Sequence, residues 1–239
     1  MFDDYNKEID FPVNGAPDAQ KWDPRLFHTV GMPTFPYKYE ENYTMTTDNS
    51  RTPNTYGYYT SLKEVPQRSK GEAYDYPWQA FPMNDYVLRF TDVMLMRAEA
   101  LIELGQLSEA QDIINAIRQR AKNSVEKHIR YAENQCEIAL YPDSYFKDKD
   151  TARKCLQWER RLEMAMESSR FFDLRRWGIA SQTLNAFFET EKDVVYNGQT
   201  YAQYYKDAHF TPGKNEYFPL PYIQLYYVPG LYTQNKGYN

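Results

Sequence analysis

Residues 159–178 constrain this chain more than any other stretch, because charged and apolar residues are interleaved there in a way that surface helices do not show. At about 100° per residue, Trp158, Leu162, Ala165, Met166, Ser169 and Phe172 fall in one broad sector, and Met164, Phe171 and Leu174 in another. Between the sectors run Glu159, Arg160, Glu163, Glu167 and Arg170, with Asp173 following. A charged stripe flanked by apolar surface on both sides belongs at a helix–helix seam, where opposite charges must pair or carry a heavy desolvation cost. The stripe therefore reads as a structural ion-pair network on one helix running from about residue 152 to 177.

A second helical pattern precedes it. Asn84 or Asp85 can cap a helix that ends at Gly105, and Ser108 can cap the next, with Glu109 and Asp112 in its first turn. Leu95, Ala98, Gly105, Ala110 and Ile117 have the small-residue spacing of a tetratricopeptide helix pair, in which alanine lets two helices approach closely. One such pair cannot bury its own apolar face, so it is expected to dock on the charged-stripe helix. Asp92, Arg97 and Glu99 could pass for a catalytic trio, but burial against that helix accounts for them more simply. Residues 1–85 differ in kind: prolines recur from Pro12 to Pro82, so the stretch reads as long loops, with residues 56–62 the best strand candidate. Residues 179–239 return to loops, with a short helix around 181–189 and an extended tail. The fold class is mainly α, with tetratricopeptide-like helix pairs, long irregular loops and a few short strands.

Composition narrows the chemistry. Aromatic residues make up 17% of the 239 positions, with 23 Tyr, 13 Phe and 4 Trp, yet mean hydropathy is −0.80. Ring surface is thus set among polar residues, which suits loops that pack on themselves and surfaces that stack on flat ligands. A net charge of −5 argues against nucleic acid as partner. Three histidines argue against a His-ligated metal site, and no cofactor is called for; Cys136 and Cys155 lie in no metal or redox spacing. No run is long and apolar enough for a membrane span, and the first residues lack the features of a secretion signal.

Sugar binding needs aromatic faces for the C–H side of the rings and planar polar groups for the hydroxyls. Two loop segments offer both. Tyr37, Tyr39 and Tyr43 sit among Glu40, Glu41 and Asn42, and Tyr74, Tyr76 and Trp78 alternate beside Asp75 and Gln79. In an extended segment, residues two apart share a side, so each triplet could present a small platform, Trp78, Tyr76 and Tyr74 foremost. Rings that pin a loop to the core would show the same pattern.

Several segments, in order, carry a family resemblance. They are Trp22-Asp23-Pro24-Arg25-Leu26, the helix from Leu88 to Ala100, Asn115-Ala116-Ile117-Arg118-Gln119-Arg120-Ala121, the charged stripe through Arg170-Phe171-Phe172-Asp173-Leu174-Arg175-Arg176-Trp177-Gly178, and the closing Phe218-Pro219-Leu220-Pro221 and Gln234-Asn235-Lys236-Gly237-Tyr238. Together they resemble the C-terminal half of the SusD/RagB family of outer-membrane glycan-binding lipoproteins. Ser168 stands where that family usually has Gly, Gln224 where it often has Glu, and Pro229-Gly230-Leu231 where Asn-Pro-x-Leu is usual. The resemblance implies a non-catalytic glycan binder at the bacterial cell surface that serves a TonB-dependent, SusC-like transporter. It also implies an N-terminal half and a lipid-bearing Cys that this sequence lacks. A tetratricopeptide-type adaptor and a glycan-active hydrolase are the alternatives, the latter needing two carboxylates roughly 5–10 Å apart across a cleft.

Overall fold

A computed structural model describes residues 22–38, 40, 42–52, 57–67, 84, 86–128, 136–193, 195–196, 199–200 and 205–238. It divides into two compact units, Met1–Pro53 with Tyr58–Ser168, and Asn54–Gly57 with Ser169–Asn239. Helices dominate the described residues and strands are few and short, in keeping with the fold class read from the sequence.

The first unit is built on three helices, α2 (Phe90–Glu103), α3 (Leu107–His128) and α4 (Lys149–Glu163), preceded by the short α1 (Arg25–Thr29). Leu95, Ala98, Leu101 and Ile102 of α2 meet Ala110, Ile114 and Ile117 of α3, and Ala152, Cys155 and Leu156 of α4 complete the same core. Ala98 and Ala110 are wholly buried in this cluster, where their small side chains leave room for close helix packing. A Schellman turn joins α2 to α3: Gln106 N donates to Leu101 O (2.8 Å) and Gly105 N to Ile102 O (3.0 Å), with Gly105 at φ 79°. The helix starts differ from expectation. Arg89, extended at φ −109°, precedes α2 in place of Asn84 or Asp85, and α3 begins at Leu107, so Ser108 lies inside its first turn. Asp85 itself is outside the described residues.

Around this core, the loop-rich N-terminal region forms a two-stranded antiparallel ladder, β1 (Val30–Gly31) with β2 (Thr60–Ser61). Of the expected 56–62 strand, Thr60 and Ser61 form the ladder among the described residues, and Tyr56 lies outside them. A smaller core of Phe27, Met32 and Phe35 lies there, with Trp22, Leu26, Val30 and Cys136 packed on it.

The expected single helix over residues 152–177 is interrupted. α4 stops at Glu163, Met166 and Ser168 adopt φ of 64° and 61°, and α5 (Arg170–Arg176) begins the second unit. Local propensity does not explain the stop, since Leu, Met, Ala and Glu all favour helix. The cause is tertiary. Lys63 Nζ (2.9 Å) and Arg89 Nη2 (3.1 Å) both donate to the Glu163 carbonyl, which a continuing helix would have offered to the Glu167 amide. The Glu167 amide donates instead to Met164 O (3.2 Å). Two cations therefore cap the C-terminus of α4, the end that the helix dipole makes negative. Ser168 holds the left-handed conformation at a steric cost that glycine avoids. Ser168→Gly is expected to raise stability by about 0.5–1 kcal/mol in urea unfolding of the whole chain. A loss of stability would show that the serine makes a compensating contact.

In the second unit, α5 and α6 (Ala180–Glu191) pack through Leu174, Ala180 and Phe210, with Phe171, Ile179, Leu184 and Phe188 around them. Asn185 clamps Phe210 from both sides, donating to its carbonyl (3.0 Å) and accepting from its amide (2.7 Å). β3 (Val195–Tyr196) and β4 (Gln199–Thr200) form a hairpin. The tail is not simply extended, because α7 (Tyr222–Tyr227) starts after Pro221. Its two closing motifs hold each other: Gln234 accepts from Leu220 N (2.8 Å) and donates to Leu220 O (3.0 Å), and Asn235 Nδ2 donates to Phe218 O (2.7 Å).

Candidate functional site

The carboxylates of the charged stripe face a ring of cations drawn from distant segments. Asp23 orients Arg25, accepting from its Nε (2.9 Å) and Nη2 (2.7 Å), and Arg25 Nη1 then reaches Glu159 (2.5 Å) and Glu163 (3.4 Å). Glu159 is fully buried and also accepts from Arg118 Nη1 (2.9 Å). Arg118 lies over the Tyr141 ring at 4.2 Å and donates its Nε to Ala139 O (2.7 Å). One turn earlier on α3, Asn115 exchanges two hydrogen bonds with the Tyr141 backbone. The Asn115-Ala116-Ile117-Arg118 motif thus docks residues 139–141 and delivers a cation to Glu159 with the same helix face. Glu163 accepts from Arg89 Nη1 (3.1 Å) and Arg120 Nη2 (2.5 Å). Glu167 accepts from Arg89 Nε (2.7 Å) and Nη2 (2.8 Å) and from Lys63 (2.5 Å). Burial raises the Glu167 pKa, but the hydrogen bonds from Arg89 and Lys63 outweigh it and hold the carboxyl below its usual range.

The remaining members of the stripe are placed differently. Arg160 Nη1 lies 2.8 Å from Asp92 Oδ1 on α2, both residues buried. Arg170 and Asp173 fall beyond the helix break in the second unit, where Asp173 pairs with Arg176 (3.0 Å). Of the trio Asp92, Arg97 and Glu99, only Asp92 has its pairing on α4 described. Arg97 corrects the expectation: its side chain is 68% exposed and lies 3.9 Å from Glu109 of α3, because it sits on the outer face of α2.

Beside this network opens a cleft of about 530 Å³. Arg25, His28 and Thr29 from α1, Arg120, Ala121 and Ser124 from α3, and Leu162 and Glu163 from α4 form much of its described wall, with Lys38, Lys63, Glu64, Tyr86, Arg89 and Glu167 beside them. His28 Nε2 and Ser124 Oγ lie 3.3 Å apart. No sequence pattern marks this cleft, since its wall is assembled from separate segments whose spacing carries no common period.

Of the candidate stacking residues, Tyr37 and Tyr43 are described, while Tyr39, Tyr74, Tyr76 and Trp78 lie outside the described residues. Tyr37 and Tyr43 do not alternate along one extended segment. The chain turns between them, Tyr37 N donating to Tyr43 O (2.9 Å), with Lys38 at φ 45°. The rings meet edge to face, centroids 5.9 Å apart at 82°. Each hydroxyl is engaged, Tyr37 donating to Pro66 O (2.8 Å) and Tyr43 accepting from Asn49 Nδ2 (2.7 Å). Both rings stay half-buried.

Sequence reasoning passed over the tail. On α7, Tyr222 and Tyr226 are 79% and 66% exposed and stack at 6.2 Å and 26°. Their i, i+4 spacing was the available signal, hidden by the proline-marked surroundings that suggested extended chain. Cys136 and Cys155 are free thiols. Burial is the leading cause that pushes them up to about 11 and about 12, which leaves little thiolate for nucleophilic chemistry. No helix among the described residues is long and apolar enough to cross a membrane.

The chain as a whole is similar to known proteins. The chain is 29% identical over 113 residues, 47% of its length, to SusD-like protein P38 of Formosa agariphila, and spans 20% of that protein. It is similar to the crystal structure of a SusD superfamily protein from Bacteroides vulgatus, with a TM-score of 0.59 and 25% identity over 92% of this chain and 41% of that one. A SusD homolog from Bacteroides thetaiotaomicron shares the fold, with a TM-score of 0.55 and 24% identity over 89% of this chain and 40% of the other. The chain thus spans about two-fifths of these structures. The SusD family model matches residues 6–238, nearly the whole length, and the chain belongs to the SusD family.

Proposed function

We propose that this chain binds oligosaccharide or polysaccharide without cleaving it, as part of a surface-exposed outer-membrane lipoprotein that passes glycan to a TonB-dependent, SusC-like transporter. The observation that carries this reading is the family match over residues 6–238. Its stacking surface would come from Trp78, Tyr76 and Tyr74, with Tyr37, Tyr39 and Tyr43 as the second candidate set. Aromatic faces hold the apolar side of a pyranose while side-chain amides and carboxylates meet its hydroxyls. The α2–α4 helices then act as a frame, and tethering the ligand beside a pore raises its effective concentration there.

Affinity electrophoresis followed by calorimetry against a polysaccharide panel tests the reading. At least one glycan is expected to bind with no release of reducing ends, and Trp78→Ala to weaken that binding about tenfold. Failure to bind any glycan, or steady production of reducing ends, would overturn it.

A further inference from the structure

The cleft beside the ion-pair network has the size of a small-ligand site and an imbalance of charge on its wall. Its volume of about 530 Å³ falls in the range, roughly 300–1,000 Å³, that ligand pockets occupy. The described wall carries Arg25, Lys38, Lys63, Arg89 and Arg120 against Glu64, Glu163 and Glu167. Glu163 and Glu167 are already committed to Arg25, Arg89, Arg120 and Lys63. Arg25 is further matched by Asp23 and Glu159. Arg25, Arg89 and Lys63 are therefore largely neutralised within the wall itself, and Lys38 is not among the cations so matched.

Lys38 is the outstanding one. Its Nζ donates to the Val65 carbonyl, and among the described residues no carboxylate pairs with it. An ammonium has three N–H donors, so two remain for a ligand. Burial lowers the Lys38 pKa, because part of the water around its charge is lost. Arg120 adds a second partly available cation: its side chain is 57% exposed and bonds Thr91 Oγ1 and Glu163. Lys38 (φ 45°) and Glu64 (φ 58°) both hold left-handed backbone conformations on this wall. Such strain in non-glycine residues collects at ligand clamps.

We propose that this cleft binds the anionic group, carboxylate or sulfate, of an acidic saccharide, with Lys38 as the residue that selects for the charge and Arg120 assisting it. Charge-assisted hydrogen bonds in a concave, partly dry wall discriminate more strongly between a charged sugar and its neutral counterpart than exposed lysines do. Glu64 and His28 lie on the same wall with acceptors and donors suited to hydroxyls. The inference rests on the glycan-binding reading above and names its ligand class.

Two matched pairs of polymers test it on the full chain by calorimetry: polygalacturonate against its methyl ester for carboxylate, and dextran sulfate against dextran for sulfate. One charged member is expected to bind at least tenfold more tightly than its uncharged backbone, and the pair that shows the difference identifies the anion. Lys38→Gln should lose fivefold or more of that affinity with the thermal midpoint unchanged, while Lys147→Gln, which removes the same charge from an exposed site, should change it less than twofold. The chain's own net charge of −5 disfavours unspecific capture of polyanions, so a preference of this kind must come from a local site. Equal binding of charged and uncharged members, or a preference that survives Lys38→Gln, overturns the acidic-ligand site and leaves glycan binding standing. Binding of no polymer in either pair or in the wider panel overturns both.

Discussion

Replacing Glu159 by glutamine is expected to cost about 3–5 kcal/mol of folding stability, read from urea unfolding at neutral pH. The substitution barely alters volume, so packing is not what it tests. Glu159 is fully buried between Arg25 and Arg118, whose side chains are only 10% and 5% exposed. A neutral amide there turns an N–H toward guanidinium groups that themselves only donate, leaving donors unsatisfied and a charge unmatched. The two arginines are not equally harmed. Arg25 keeps its two bonds to Asp23, whereas Arg118 keeps the Ala139 carbonyl and the Tyr141 ring but loses its carboxylate partner. The double variant Glu159→Gln with Arg118→Met should therefore be less destabilised than the sum of the single changes, a coupling of 1 kcal/mol or more in a double-mutant cycle. A loss below about 1 kcal/mol for Glu159→Gln would show that the buried pair contributes little.

Truncating Leu156 to alanine is expected to cost about 2–5 kcal/mol by a different route. Leu156 is 1% exposed and belongs to the cluster in which α4 meets α2 and α3. Removing its branched end loses transfer free energy and leaves a cavity between elements that helix geometry keeps from collapsing. Arg97→Ala on the exposed face of α2 is the matching control, expected to change stability by less than about 0.5 kcal/mol. Equal costs for the two would mean that α4 is not integral to the core.

Much of the scaffold was legible because it is written at helical spacing. Ala98, Gly105 and Ala110, with Leu95 and Ile117, announced a close helix pair, and those residues do form the buried contact and the turn. The alternation of Glu159, Arg160 and Glu163 with apolar sectors announced a seam, and all three are buried. The end of the charged helix was not legible. It depends on Lys63 and Arg89, 100 and 74 residues away, taking the Glu163 carbonyl, and no window around Glu163 contains them. Ser168, noted only as a departure from the usual glycine, marks that break through its left-handed backbone. Arg97 was misplaced because a stripe of charges on a helix does not state which side faces the core; only the packing of α2 on α3 and α4 does.

The candidate ligand surfaces divide the same way. Tyr37 and Tyr43 were visible as residue types, but their edge-to-face meeting required the turn at Lys38 that reverses the chain between them. By itself the amino-acid sequence determined the helix pair, the charged seam and the family, since each rests on residue type at short spacing. The tertiary structure alone decided where α4 ends, which cations serve Glu159, Glu163 and Glu167, and that Lys38, on the wall of a cleft, pairs with no carboxylate among the described residues. Those outcomes depend on contacts between segments far apart in the chain, and local periodicity carries no information about which distant groups will meet.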